Sequence, residues 1–383
     1  MNVKGLLIAL VRNAIKGEAL DFSAVRESLS AQQLATLFKV SKKHDVAHLV
    51  SYSLEKNGFS LDCDAWQSFL KEREQATLRY EMMQADLNEI SACLENNQID
   101  YIPLKGAVVR RYYPEPWMRT SCDIDVLVRE TDFDKAVNAL VKDCMYTTDG
   151  KRAYHDISLY SPFGMHLELH HSILENEPKF DALLSRVWSF SSEAVAGGHK
   201  YLQSNEFLML HLVAHAAYHF SCGGCGLRSV LDIWLLKNSL VLDNSQLEAL
   251  LEEACLSRFY NAISDLGEYW FGKGNAEGLE EIEKYILLGG AYGSGKQASS
   301  TRLAKKGGRF RYFWSRIFLP YESLAILYPV IKHHKILTPF CQIARWFGAI
   351  FKGNKVKREI KNVVGTNKEQ AEKTRKLLDR LGL

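Results

Sequence analysis

The stretch Cys122-Asp-Ile-Asp-Val-Leu-Val128 decides how this chain is interpreted. Its apolar half has a high β propensity. Side chains two positions apart in a strand point to the same face, so Asp123 and Asp125 are predicted to lie side by side. Two carboxylates held this close raise each other's pKa unless positive charge lies between them. A divalent cation is the usual source of that charge, and oxygen ligands favour Mg²⁺ or Mn²⁺. The pair therefore predicts a metal site and an enzyme.

Two further signals flank the aspartate pair. Upstream, residues 99–104 have the character of a strand and Lys105-Gly106 follows at once. A glycine there lets a backbone amide approach a phosphate, and the lysine adds a point charge. Downstream, residues 164–170 alternate between apolar and polar, which places Glu168 and His170 on one polar face. Glu168 is predicted to complete a three-carboxylate cluster. For His170 we keep three roles open, namely phosphate binding, acid–base chemistry and a hydrogen bond to a carboxylate, and we favour the last.

In this order the motifs resemble one family. This is the bacterial nucleotidyltransferase-like family of the polymerase-β-type superfamily. Its genes are often found beside surface-polysaccharide genes. The matching motifs are Leu104-Lys-Gly106, Tyr113-Pro114, Arg119, Asp123-Ile-Asp-x-Leu-Val128 and Leu167-Glu-Leu-His170. The segments 210–219, 227–232 and 318–329 also look like that family. The resemblance covers roughly residues 30 to 350 and is more specific for the fold than for the activity.

The resemblance implies an α+β fold with a polymerase-β-like mixed sheet flanked by helices, a helical N-terminal segment and a helical C-terminal domain. It implies a metal-dependent enzyme that moves a nucleoside monophosphate from an NTP to a hydroxyl acceptor. Asp123, Asp125 and Glu168 are the predicted catalytic and metal-binding residues. The predicted nucleotide and phosphate ligands are Lys105, Gly106, Arg119 and His170. A bacterial cytoplasmic location, with a peripheral place at the inner membrane face as an option, and a part in polysaccharide assembly follow from the resemblance alone.

One departure from the superfamily concerns the turn after the first strand. Classical members carry Gly-Ser or Gly-Gly there, whereas Gly106 is followed by Ala107 in this chain. A hydroxyl that would touch phosphate is therefore missing. The alternative hypothesis is a catalytically weak binding or regulatory module that retains the fold and contacts RNA or an anionic membrane through its basic tail.

Composition divides the 383 residues into four regions. We predict a helical region over 1–97, the sheet domain over 98–200, a helical domain over 201–300 and a basic, aromatic-rich helical tail over 301–383. Ser30 is a candidate N-cap, and the Gly- and Ser-rich residues 289–308 are predicted to form a flexible loop. The eight cysteines are scattered and no secretory signal precedes them, which favours reduced thiols in a cytosol. No apolar run is long enough to span a bilayer.

The tail is strongly basic. Residues 301–383 hold 19 Lys/Arg and 5 Asp/Glu, and the preceding residues are net acidic. Such a segment favours a polyanion or an anionic membrane surface. Basic and aromatic residues are interleaved over 309–316 and 335–361, which suits a membrane interface or stacking on RNA bases. A helix docked on the core with a basic outer face explains the same pattern.

The histidines and cysteines of residues 211–225 allow more than one interpretation. His211, His215 and His219 share a helical face, and Cys222 and Cys225 follow in a Cys-x-x-Cys spacing. A zinc site, a pocket-lining role and plain packing all stay open, with packing favoured.

A glycine-rich stretch later in the chain resembles a phosphate-binding loop. Residues 290–296 match the glycine and lysine spacing of a P-loop, but Gln297 occupies the Ser/Thr position. The segment before it is predicted to be a helix and not a strand. A working P-loop is therefore disfavoured.

Overall fold

The fold begins with a group of helices. The structure is a computed structural model that describes every residue except 1, 19, 24, 26–28, 153, 154, 292, 294, 307–313, 315–317 and 352–367. The Ser30 hydroxyl accepts a hydrogen bond from the backbone N–H of Gln33, and the Gln33 side chain accepts one from the backbone N–H of Ser30. This capping box confirms the predicted N-cap. The first helices among the described residues are α1 (Val3–Lys16), α2 (Ala31–Lys43), α3 (Ala47–Lys56) and α4 (Asp64–Asn96).

A small mixed sheet follows and confirms the predicted α+β class. Its strands are β1 (Tyr101–Pro103), β2 (Asp123–Val128), β3 (Asp156–Tyr160) and β4 (His166–His170), in the order β1-β2-β4-β3. Strand β2 is parallel to β4 and antiparallel to β1, and β3 is antiparallel to β4. The register sets Asp125 opposite Glu168. A short helix that the sequence analysis did not anticipate, α5 (Lys105–Val109), lies between β1 and β2, and α6 (Phe133–Asp143) follows β2.

One face of the sheet is covered by helices. Ile124 of β2 and Leu167 of β4 are buried in a hydrophobic core with Ile90 of α4 and Leu140 of α6. Because side chains alternate along a strand, Asp123 and Asp125 of β2 and Glu168 of β4 point to the other face of the sheet. The apolar and polar side chains of residues 164–170 therefore lie on opposite faces of the sheet, as predicted.

The second half of the chain is mainly helical. Two short strands, β5 (Ser191–Glu193) and β6 (Tyr201–Gln203), pair with each other. The helical stretch over 244–271 is interrupted at Cys255, where φ is +56°. N-terminal and C-terminal helices contribute to one shared hydrophobic core, and the predicted domain boundaries stay a prediction. The helices of this half are α7 (Pro178–Leu184), α8 (Asn205–Ser221), α9 (Leu227–Ser239), α10 (Asn244–Glu253), α11 (Ser257–Phe271) and α12 (Glu280–Gly289).

The described part of the tail is also helical. The prediction of a flexible loop over 289–308 is wrong for α13 (Gly295–Lys306), where buried Gln297 donates to the carbonyl of Tyr285 in α12. A helix precedes the P-loop-like stretch, as expected. Most of the basic segment 309–316 and residues 352–361 lie outside the described residues. Within the described chain we find no helix long and apolar enough to cross a membrane. The remaining helices are α14 (Tyr321–Leu327), α15 (Val330–His333), α16 (Thr338–Phe351) and α17 (Lys368–Leu381).

Candidate active site

Three carboxylates meet on the open face of β2 and β4. Asp125 is 5% exposed, so it is not part of a solvated surface strand. Two overlapping groups of possible ligands form here. Ligand atoms of Asp123, His166 and Glu168 lie within 4.8 Å of one another, and so do those of Asp125, Glu168 and His170. Glu168 belongs to both groups and links the two aspartates.

Asp125 already has two partners. Lys105 Nζ lies 3.2 Å from its Oδ1, and His170 Nε2 lies 3.0 Å from the same oxygen. The hydrogen bond to a carboxylate that we favoured for His170 is therefore present. Burial by itself would raise the pKa of Asp125, but the Lys105 ammonium and the His170 hydrogen bond hold it well below its usual range. Asp125 stays ionised, and Asp125 and Glu175 in turn raise the pKa of Lys105 against the effect of burial.

The other two carboxylates lack a comparable counter-charge. Burial, and then the charge of Asp125, raise the pKa of Asp123. Burial, Asp125 and Asp123 raise that of Glu168 in the same way. Lys105 alone does not balance three carboxylates, and the two arginines that line the same cavity are already paired, Arg119 with Asp232 and Arg228 with Asp45. An oxygen-rich donor set with unbalanced negative charge fits a hard divalent cation.

Gly106 and Arg119 lie in the wall beside this cluster. A Cβ atom at position 106 would lie 2.7 Å from Arg119 Nη1 and 3.0 Å from Ser121 Oγ, so only glycine fits without displacement. Arg119 is held from its other edge, because its Nη2 lies 3.0 Å from Asp232 Oδ2 on α9. Tyr113 donates to Asp232 Oδ1 at 2.7 Å. We call this buried trio of Tyr113, Arg119 and Asp232 the clamp, since it ties the sheet region to the helical half.

The predicted site residues surround two adjoining cavities. The first has a volume of about 300 Å³, and the second about 410 Å³. Four side chains line both cavities and form the boundary between them, namely Lys105, Glu168, His215 and His219. The first cavity also contains Gly106, Arg119, Asp123 and Asp125, whereas His170 faces the second.

The histidines of α8 line these cavities. His215 Nδ1 lies 2.7 Å from Glu175 Oε1, and His211 and His219 accompany it in the second cavity. The pocket-lining interpretation is therefore the one that matches the structure. Among the described residues, the groups that could hold a metal include neither Cys222 nor Cys225.

Sequence reasoning missed Glu175, His155 and Asp232. Glu175 and His155 lie in irregular segments outside any motif. Asp232 stands in a stretch, 227–232, that the resemblance had flagged without a role, and that was its only signal.

A carboxylate pair lies on one strand, and a third carboxylate lies on the parallel neighbour beside a strand–turn–helix segment. This is the arrangement that the sequence analysis expected of a nucleotidyltransferase. A family model described as "Uncharacterised nucleotidyltransferase" matches residues 30–272. The chain belongs to that family. This membership indicates nucleotidyl transfer with a nucleoside triphosphate as substrate. Searches of the curated proteins and of the solved structures returned no significant match.

Proposed function

We propose that the protein transfers a nucleoside monophosphate from an NTP to a hydroxyl acceptor and needs Mg²⁺ or Mn²⁺ to do so. The observation that carries the proposal is the convergence of Asp123, Asp125 and Glu168 around a site whose negative charge Lys105 alone does not balance. Asp123 and Asp125 hold the ion that accompanies the triphosphate, and Glu168 shares a second ion with them. When bound, such ions neutralise charge on the phosphates and make the acceptor oxygen more nucleophilic.

The surrounding residues have separate tasks in this proposal. Lys105 is fixed by Asp125 and supplies positive charge at the edge of the first cavity. Gly106 leaves room for the close approach of Arg119. Arg119 keeps one edge of its guanidinium bound to Asp232, which orients the other edge toward the Gly106 turn. His170 keeps Asp125 ionised through a hydrogen bond.

Binding of a nucleotide that cannot react tests the proposal. We would titrate the α,β-methylene analogues of the four NTPs into the protein by calorimetry, with Mg²⁺ or Mn²⁺ and with EDTA. We expect one analogue to bind only with metal, and Asp123→Asn plus Asp125→Asn to weaken it by more than about 100-fold. Asp100→Asn is the matched control, because Asp100 is a half-buried carboxylate paired with His199 and Arg129 away from the cavities.

Two results would contradict the proposal. One is equal binding in EDTA, and the other is no binding of any analogue by the wild-type protein. Binding lost equally in Asp100→Asn would point to a general structural defect instead of a metal site.

The tail supports a proposal about location. Three apolar side chains on and beside α16 are exposed, Ile336 at 83%, Phe340 at 68% and Ile343 at 44%. Exposed apolar groups in a basic segment suit the interface of an anionic membrane better than RNA. We propose that the enzyme works at such a surface, in keeping with a role in surface-polysaccharide assembly at the inner face of a bacterial membrane.

Vesicle co-sedimentation tests this location. We expect binding to vesicles that contain phosphatidylglycerol but not to pure phosphatidylcholine, and we expect Ile336→Asp with Phe340→Asp to reduce it by about tenfold or more. Retention of RNA with no vesicle binding would favour the alternative, in which the tail contacts nucleic acid.

A further inference from the structure

The second cavity differs from the first in its chemistry. Apart from the shared Lys105, the described residues that line it include no lysine or arginine. Three carboxylates lie in its wall together with histidines, namely Asp156, Glu175 and the shared Glu168. A triphosphate is strongly negative and belongs with the metal-binding aspartates in the first cavity. The second cavity therefore suits a group without negative charge.

Two histidines of this cavity, His211 and His219, are neutral hydrogen-bonding groups. Burial, and then the charge of Lys105, lower the pKa of His211 to about 3. Burial, and then His215, lower the pKa of His219 to about 4. A neutral imidazole offers one donor and one acceptor. The wall therefore presents hydrogen bonds of both kinds and little positive charge.

Two buried ring nitrogens in this wall have no partner. Gln203 Nε2 lies 3.2 Å from His211 Nδ1, which leaves Nε2 of that ring as an unpaired donor. His170 uses Nε2 for Asp125, and its Nδ1 also has no partner. Buried polar groups are nearly always satisfied by protein, water or a ligand. A hydroxyl group both donates and accepts, whereas a phosphate dianion only accepts, so a wall that offers hydrogen bonds of both kinds matches hydroxyl groups.

His215 stands where the two cavities meet. Its Nδ1 lies 2.7 Å from Glu175 Oε1, and it lines both cavities beside Glu168 and Lys105. Burial would raise the pKa of Glu175, but the hydrogen bond from His215 lowers it to about 2. An ionised Glu175 accepts a hydrogen bond from Nδ1–H of His215, so Nε2 is the ring nitrogen left to take a proton. A fixed tautomer of this kind is what a general base requires.

We propose that the second cavity binds the acceptor as an uncharged polyhydroxy compound, and that His215 takes the proton from its reacting hydroxyl. The assignment rests on the proposed nucleotidyl transfer. In the step, the acceptor oxygen forms a bond to the α-phosphorus. The bond from that phosphorus to the bridging oxygen breaks, and pyrophosphate leaves with its electron pair. The hydroxyl proton moves to His215 Nε2. Glu175 is a positioning residue, because it acts through His215.

The experiment separates nucleotide binding from transfer. The full chain is incubated with metal, each [α-³²P]NTP and a panel of glycerol, hexoses, hexosamines and the phosphate esters of each. Binding of the α,β-methylene NTP is measured in parallel. If the wild-type protein binds no analogue, the proposed function itself has failed. If it binds one, the panel tests the acceptor assignment alone.

We expect neutral members of the panel to be labelled and their phosphate esters to be labelled poorly. His215→Gln should lower kcat for transfer by about 100-fold or more while the Kd of the nucleotide analogue stays unchanged. Glu175→Gln should lower kcat, and Glu175→Asp should restore part of it. His199→Gln is the matched control, since His199 also pairs through Nδ1 with a carboxylate, Asp100, at 2.9 Å but lines neither cavity.

Three results would overturn the assignment. The first is faster labelling of the phosphate esters. The second is an unchanged kcat in His215→Gln. The third is no labelled neutral compound although the nucleotide binds. His215→Asn serves as a second variant if His215→Gln does not fold, as judged by circular dichroism.

Discussion

Removing the carboxylate of the clamp should destabilise the protein severely. The substitution is Asp232→Ala. Asp232 accepts from Arg119 Nη2 at 3.0 Å and from the hydroxyl of Tyr113 at 2.7 Å. Side-chain exposure is only 8% for Arg119 and 7% for Asp232, so water does not replace the lost partner freely. The variant therefore contains a buried guanidinium without a counter-charge.

The size of the effect follows from two losses. Breaking a buried ion pair by removing one partner costs about 3–5 kcal/mol. The Tyr113 hydroxyl also loses its acceptor, which adds about 1 kcal/mol. Water that enters the space left by the carboxylate offsets part of this. We expect the free energy of unfolding to fall by about 4 kcal/mol, and nucleotide affinity to fall as well because Arg119 is no longer oriented.

Urea denaturation followed by circular dichroism measures the change. The matched control is Glu253→Ala, which breaks an Arg–carboxylate pair of nearly the same length, Arg186 Nη1 to Glu253 Oε1 at 2.9 Å, on the surface. Side chains there are about half exposed, at 49% and 54%, so we expect a loss below about 1 kcal/mol. If Asp232→Ala is no more destabilising than Glu253→Ala, burial does not govern the energetics of the clamp and the reasoning is refuted.

Two further predictions concern Gly106 and His44. Gly106→Ala places a Cβ atom 2.7 Å from Arg119 Nη1, and Arg119 is held by Asp232 and cannot retreat easily. We expect a lower melting temperature and weaker nucleotide binding, and an unchanged melting temperature would contradict this. His44 is buried between the carbonyl of Leu287 and the amide of Leu227. Burial, more than any other cause, lowers its pKa to about 4. The unfolded state then binds more protons than the native state between pH 6.5 and 4. Because of His44, the free energy of unfolding should therefore fall by on the order of 3 kcal/mol as the pH falls through that window. The wild-type protein and His44→Gln should diverge in urea titrations there, and parallel pH curves would count against the assignment.

Local patterns in the sequence predict the sheet and its polar face well. The strand alternation around Asp125 and Glu168 places both side chains correctly, because the period of two is a local property of the chain. The N-cap at Ser30 is predicted for the same reason. The prediction of a loop fails at α13, where glycine and serine content was weighed above tertiary contacts. Gln297 of that helix packs onto α12, and such a contact has no local signature.

The partners of the site residues could not be predicted from sequence in the same way. Arg119 was expected to face phosphate, and nothing near it in sequence indicates that Asp232, more than one hundred residues away, holds it. Glu175 and His215 are likewise brought together only by the packing of α8 against the sheet region. Ion pairs between distant segments depend on the assembled fold, and a single sequence does not encode them in any period or spacing.

The positions of these partners make the helical half part of the active site. Both cavities have one wall from the strands and one from α8, and α9 contributes to the wall of the first cavity. Asp232 sets the orientation of Arg119, and Glu175 sets that of His215, so each cavity depends on one pair that crosses between the two halves. Lys105 lies between them in the left-handed region, at φ +40°, where a residue other than glycine is strained by about 1–3 kcal/mol. Its ion pair with buried Asp125 offsets that strain. In the proposed function the strand carboxylates hold the metal, and the helices that complete the second cavity select the acceptor.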